Sequence, residues 1–163
     1  MERLWSPWRM QYILGKGQDG CVFCDMFAAM PSEDGEHLIL HRGTHCSVIM
    51  NLFPYNSGHL MIVPHAHQET FEDMPAEAQL EVMTLMNRCV SVLRKAMQAE
   101  GFNIGVNLGK SAGAGISEHV HMHVVPRWTG DTNFMTTLGQ VRCIPEDLKD
   151  SYDRLKEMWD RES

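Results

Sequence analysis

Across residues 75–100 apolar side chains recur at helical spacing. Leu80, Met83, Val90 and Met97 form one stripe, and Val82, Leu85, Cys89, Val92 and Ala96 an adjoining one. The two merge into the wide apolar face of a long amphipathic helix, which Gly101 ends. Elsewhere the pattern is shorter and extended. Residues 37–41, 46–52 and 59–63 read as strands, the last two joined by the turn-rich connector Phe53-Pro54-Tyr55-Asn56-Ser57-Gly58. A fourth strand covers 102–108, and after a loop of small residues comes a run in which histidine alternates with apolar residues. Ser6-Pro7 supplies an N-cap and first helical position for an N-terminal helix stopped by Gly15 and Gly17. A short helix follows Cys24 to about Met30, and a C-terminal helix starts near Pro145 after a loop through Gly139. Strands on short turns, interrupted by one long helix, predict an α+β fold with helices on one face of an antiparallel sheet.

A chain of 163 residues suits one domain, with residues 1–30 as an N-terminal helix and Cys-x-x-Cys segment and 140–163 as a helical extension. The formal charge of −7 argues against polynucleotide binding, which needs a basic face, yet leaves a small nucleotide open. No stretch approaches the roughly 20 apolar residues of a membrane span. The five cysteines are an odd number with one close pair, so the expectation is a reduced, cytoplasmic protein.

The chemistry concentrates at Glu118-His119-Val120-His121-Met122-His123-Val124-Val125-Pro126-Arg127-Trp128. On an extended strand the three histidines share one face, and Val120, Met122 and Val124 the other. Same-face neighbours stand roughly 6.6 Å apart, so His119 and His123 are separated by about 13 Å. Zinc–nitrogen bonds of about 2.0–2.1 Å forbid all three from holding one ion. Three roles stay open for the row: a polar strand face, a metal site using one or two rings, and catalysis. Geometry favours divided labour, with the flanked His121 as nucleophile and its neighbours binding phosphate or protonating a leaving group. The preceding stretch from Asn107 to Ser117, rich in glycine, alanine and serine, suits backbone donors approaching phosphate, with the Asn107 amide and Lys110 charge in support. Cys21-x-x-Cys24 alone fits zinc, redox chemistry or chance.

The run His119-Val120-His121-Met122-His123-Val124-Val125 matches His-φ-His-φ-His-φ-φ, where φ is apolar, and resembles the signature of the histidine triad (HIT) family. Asn51-Leu52-Phe53-Pro54-Tyr55-Asn56-Ser57-Gly58-His59-Leu60-Met61-Ile62-Val63-Pro64 is similar to that family's nucleoside-binding strand pair. The opening Leu4-Trp5-Ser6-Pro7-Trp8-Arg9-Met10-Gln11-Tyr12-Ile13, with Asn107-Leu108-Gly109 and Pro126-Arg127-Trp128, resembles a prokaryotic branch that includes a diadenosine tetraphosphate phosphorylase.

The resemblance implies a HIT-like antiparallel sheet continued across a homodimer, and attack by His121 on an α-phosphate to give a nucleotidyl-histidine. Water or inorganic phosphate then releases the nucleotide. It places Asn51 on the ribose, and Asn107, the Ala114-Gly115 backbone, His123 and Trp128 around the phosphates. It also completes a structural zinc site from Cys21 and Cys24 with His67 and the first triad residue, His119, leaving His121 and His123 for substrate. His59 supports the pocket, and His37, His41 and His45 are surface residues. One departure touches the phosphorylase reading: Gly115 stands where that branch leads one to expect serine, with Ser117 two residues later. The expected activity is phosphorolysis or hydrolysis of diadenosine tetraphosphate. Phosphoramidate or adenylate hydrolysis and a non-catalytic nucleotide sensor are the rivals.

Overall fold

A computed structural model describes residues 20–132 and 146–162. The helix expected at Ser6-Pro7 and the loop through Gly139 lie outside the described residues. The elements are α1 (Val22–Ala28), β1 (Ile39–Arg42), β2 (Cys46–Met50), β3 (Leu60–Pro64), α2 (Ala76–Met97), β4 (Gly101–Val106), β5 (Met122–Arg127) and α3 (Leu148–Arg161). Short 3-10 turns occupy Pro31–Glu33 and Lys110–Ala112. All five strands join in one antiparallel sheet, ordered β1-β2-β3-β5-β4.

Several boundaries differ from those read off the pattern, each for a local reason. β2 stops at Met50 because Asn51 turns the chain, its Oδ1 accepting the Phe53 N–H at 2.9 Å. α2 ends before Gly101: Gln98 adopts left-handed geometry (φ 53°), and its N–H bonds the Leu93 carbonyl. Gly101 instead opens β4. α3 is capped by Asp147, whose Oδ1 accepts the Lys149 N–H at 2.8 Å.

Alternation along the strands divides the interior into two cores. Val48, Met50, Leu60, Ile62 and Val124 pack with Val82, Leu85, Val92 and Leu93 of α2 and with Leu155 and Trp159 of α3. On the opposite face Ile39, Ile49, Met61 and Val63 pack with Cys21 and Phe23. The expectation of helices on one face therefore holds for α2 and α3 only. Phe23 buries itself on the other face and brings α1 with it. Arg42 fastens α1 there: its guanidinium donates to the carbonyls of Met26, Phe27 and Ala29 and to Asp34. These are the carbonyls that a helix C-terminus leaves unpaired, and a cation is what they favour.

The β2–β3 connector closes tightly against α2. Gly58 has φ +73°, and a Cβ there would strike the Met97 sulfur and the Leu93 side chain. Glycine at this position lets the chain pass close under α2 before β3 begins at Leu60.

Candidate active site

The three histidines all lie on the α1 side of the sheet but not on one regular strand. β5 begins at Met122, so His123 is within it, His121 precedes it and His119 sits in a bend. The Val120 N–H donates to the Gln68 carbonyl at 2.7 Å, which draws this stretch out of the ladder. All three rings are buried. The His121 and His123 rings stand 4.8 Å apart, and Phe23 packs against His119 and His121 at 5.3 and 5.2 Å.

Hydrogen bonds to atoms that can play only one role fix the tautomers. His121 Nδ1 lies 2.9 Å from the His119 carbonyl oxygen. A carbonyl only accepts, so Nδ1 carries the proton and Nε2 keeps its lone pair. In the same way the Pro64 carbonyl, 2.8 Å from His119 Nε2, leaves His119 Nδ1 free to coordinate. A longer relay holds His123. The Tyr55 N–H and the Asn51 amide both donate to His59 Nδ1, at 3.0 and 3.3 Å. His59 must then donate through Nε2 to His123 Nδ1 at 3.0 Å, so His123 presents an N–H at Nε2. The Asn107 amide nitrogen, 3.5 Å from that Nε2, is also a donor, so the two do not bond each other. The His123 donor is thus available to a ligand.

Burial keeps these rings neutral. Desolvation, aided by neighbouring histidines, pushes His59 down to about 3 and His123 to about 4. His121 is also lowered by desolvation, against the opposing effect of its bond to the His119 carbonyl. A neutral imidazole with a bare Nε2 next to a neutral imidazole with an outward N–H can attack an electrophile and hold the oxygen on which charge develops.

The other residues expected around the substrate are placed unevenly. Asn51 is turned inward, engaged with Phe53 and His59. Ala114 and Gly115 lie in the loop before the histidines, and a Cβ on Gly115 would meet nothing within 4 Å. The Ser117 Oγ lies 3.5 Å from a carboxylate oxygen of Glu118. Trp128 is placed away from the histidines. Its indole N–H donates to the Met97 and Gln98 carbonyls at 3.1 Å, and the ring packs on the α2 side of the sheet. The cause is parity: 128 continues the face of 122, 124 and 126, not that of the histidines.

Cys21, Cys24, His67 and His119 converge at one end of the row, with their ligand atoms all within 4.8 Å of one another. His119 Nδ1 is 3.2 Å from Cys21 Sγ and 3.7 Å from Cys24 Sγ, and His67 Nδ1 is 3.4 Å from Cys24 Sγ. Metal bonds of about 2.0–2.3 Å at tetrahedral angles put ligand atoms roughly 3.3–3.8 Å apart. Two sulfurs and two imidazole nitrogens at these distances fit a metal ion. His65 points elsewhere, its Nε2 2.9 Å from the Ser47 hydroxyl.

Sequence reasoning left Tyr55 and Phe23 without their structural part, and gave His59 a supporting place but not its relay to His123. His59 carried a signal, since it shares the parity of Met61, which pairs with His123 across β3 and β5. Phe23 and Tyr55 carried none, because both act through contacts between distant segments.

Comparison with known proteins adds to this geometry. The model of the HIT domain matches residues 33–130. The chain is 37% identical to the AP-4-A phosphorylase of Mycobacterium tuberculosis over 168 aligned positions, covering 99% of this chain and 86% of that protein. It is 30% identical to Adenylylsulfatase HINT3 of Arabidopsis thaliana, over 68% of this chain and 53% of that protein. Among solved structures, a Zn-bound histidine triad family protein from Mycobacterium smegmatis superposes with a TM-score of 0.70 and 27% identity, covering 87% of this chain and 94% of that one.

Proposed function

The chain belongs to the histidine triad (HIT) family, and we propose that it cleaves dinucleoside polyphosphates, diadenosine tetraphosphate above all, through a nucleotidyl-histidine at His121. The observation that carries this reading is the bond from His121 Nδ1 to the His119 carbonyl, which leaves Nε2 bare. The Nε2 lone pair attacks the α-phosphorus; the bridging P–O bond breaks, and its electrons leave with ATP. The ring becomes cationic, and the His119 carbonyl accepting from Nδ1 stabilises that charge. The His123 N–H donates to a phosphoryl oxygen, with the Asn107 amide and the Ala114-Gly115 backbone beside it. Inorganic phosphate then attacks the adduct, the N–P bond breaks, its electrons return to Nε2, and ADP departs. Water in the same role gives AMP.

Likeness to the mycobacterial AP-4-A phosphorylase supports phosphate as acceptor. Likeness to an adenylylsulfatase supports a second reading, hydrolysis of adenylate esters or phosphoramidates by the same two steps. The four-residue cluster is assigned to structural zinc, held by Cys21, Cys24, His67 and His119, which leave no position open for water. Its contribution is to fix His119, whose carbonyl orients the nucleophile. Among the described residues β4 is an edge strand with Ile104 exposed, which supports a homodimer that continues the sheet. Among the described residues Cys21, Cys24, Cys46 and Cys89 form no disulfide, which supports a cytoplasmic setting. Among the described residues no helix is long and apolar enough to cross a membrane.

Incubation with diadenosine tetraphosphate, with and without phosphate, tests the proposal. ADP plus ATP that appear only with phosphate identify a phosphorylase, and AMP plus ATP without it a hydrolase. No turnover of this substrate, with brisk turnover of an adenosine phosphoramidate, transfers the assignment to the second reading.

A further inference from the structure

Past His123 the same sheet face opens into a groove that the mechanism above leaves unused. A cavity of about 460 Å³ is lined by Pro54, Tyr55, Asn103, Val125 and Arg127, within the size range of small-molecule sites. Register places it directly beside the reacting groups: Asn103 pairs with Val125, and Gly105 with His123. The Tyr55 ring forms the wall, 5.4 Å from His123 and 4.6 Å from His59.

The polar end of this groove is built with a definite polarity. The Arg127 guanidinium is occupied by Asp131, through Nε at 2.7 Å and Nη2 at 2.6 Å, and its Nη1 donates to Asn103 Oδ1 at 2.7 Å. Asp131 is itself held by the Trp128 N–H and the Asn56 amide. An arginine only donates, so the carbonyl end of Asn103 must face it. The Nδ2 end of Asn103 then faces away from Arg127, on a residue exposed at the cavity wall. Because Arg127 is neutralised by Asp131, the groove offers an amide donor and apolar surface but no unopposed cation. That chemistry suits a nucleoside better than a phosphate chain.

We propose that this groove is the subsite for the departing half of the substrate, taking its nucleoside between Tyr55 and Val125 with Asn103 Nδ2 donating to a base or ribose acceptor. The proposal rests on the dinucleotide reading above and adds the second recognition element. In an in-line displacement the leaving group lies opposite the attacking nitrogen, and the groove continues the row from His121 through His123 to Val125, away from that nitrogen. Since β4 is the sheet edge, the subsite borders the surface assigned to the second copy.

The test compares diadenosine tetraphosphate with adenosine 5′-tetraphosphate, which has the same phosphate chain and no second nucleoside. Binding to the whole protein is measured by calorimetry in a His121→Ala background, and kcat/KM is measured with His121 intact. The parent binds the dinucleotide five- to tenfold more tightly, the order of one hydrogen bond plus partial stacking. Asn103→Asp keeps the acceptor for Arg127 and removes the amide donor, so it reduces that preference to twofold or less. Asn103→Leu does the same and guards against an effect of the new carboxylate. Equal affinities in the parent, or a preference unchanged in both variants, would overturn the subsite. Absence of turnover with the binding preference intact overturns the catalytic reading and leaves the subsite standing.

Discussion

His59 Nε2 donates to His123 Nδ1 at 3.0 Å, and because His59 Nδ1 is already saturated by the Tyr55 N–H and the Asn51 amide, the bond has only one direction. A side chain outside the triad motif thus dictates which nitrogen of His123 faces the ligand. His59→Phe removes the donor at similar bulk. Loss of an orienting partner of this kind costs about 10–100-fold, here in kcat with little change in KM. The pH profile distinguishes orientation from mere packing: the acid limb shifts upward, because the His59 N–H no longer occupies the His123 Nδ1 lone pair that a proton would take. A variant with unchanged kcat and profile would remove His59 from the relay.

His121→Ala is expected to lower turnover of diadenosine tetraphosphate by at least about 10⁴-fold, while nucleotide binding changes little. Rapid acid-free quenching of the parent with labelled substrate traps a nucleotidyl adduct that the variant lacks. A variant as fast as its parent would exclude His121 as the nucleophile.

Protein purified without chelator is expected to contain about one zinc per chain under the four-ligand arrangement. Cys24→Ser weakens the site, lowers the melting temperature and reduces kcat, because His119 carries the carbonyl that orients His121. Elemental analysis that finds no metal would release all four residues from this role.

Stability responds to acid through the two buried rings. His59 and His123 titrate at about 3 and about 4 in the fold against 6.5 for a free imidazole. Between pH 6.5 and 4 the unfolded chain binds protons that the folded chain refuses, so stability falls as pH falls. The slope is about 1.4 kcal/mol per pH unit for each group. Urea unfolding of the parent and of His59→Phe across this window measures it. The variant's slope is shallower by about one such increment, and identical slopes would contradict the burial argument.

Trp128→Phe deletes the bond that caps α2 at Met97 and Gln98 and costs about 1 kcal/mol of stability. Turnover per folded molecule stays within about twofold, since one neutral hydrogen bond on the far face changes little else. A selective loss of kcat would bring Trp128 back to the phosphates.

The motifs were legible in the sequence because each obeys local rules. Alternation in residues 118–125, the Cys21–Cys24 spacing and the 75–100 periodicity are all properties of short segments. Three features escaped for one physical reason: they arise where distant segments meet. The Gln68 carbonyl bends the triad at Val120, Phe23 carries α1 to the second face, and Arg127 orients Asn103 through a frame shared with Asp131. Periodicity also fixed parity better than role. The family resemblance put Trp128 at the phosphates, yet the face that 128 shares with 122 and 124 is the one under α2.

The Cys21–His119 contact joins residues 98 positions apart, and this separation orders events during synthesis. The thiols emerge early, while their imidazole partner appears only after most of the sheet has been made. Closing so long a loop is entropically costly until the intervening strands are already paired. A nascent or truncated chain that stops short of residue 119 therefore lacks one of the four converging ligands and cannot close the cluster.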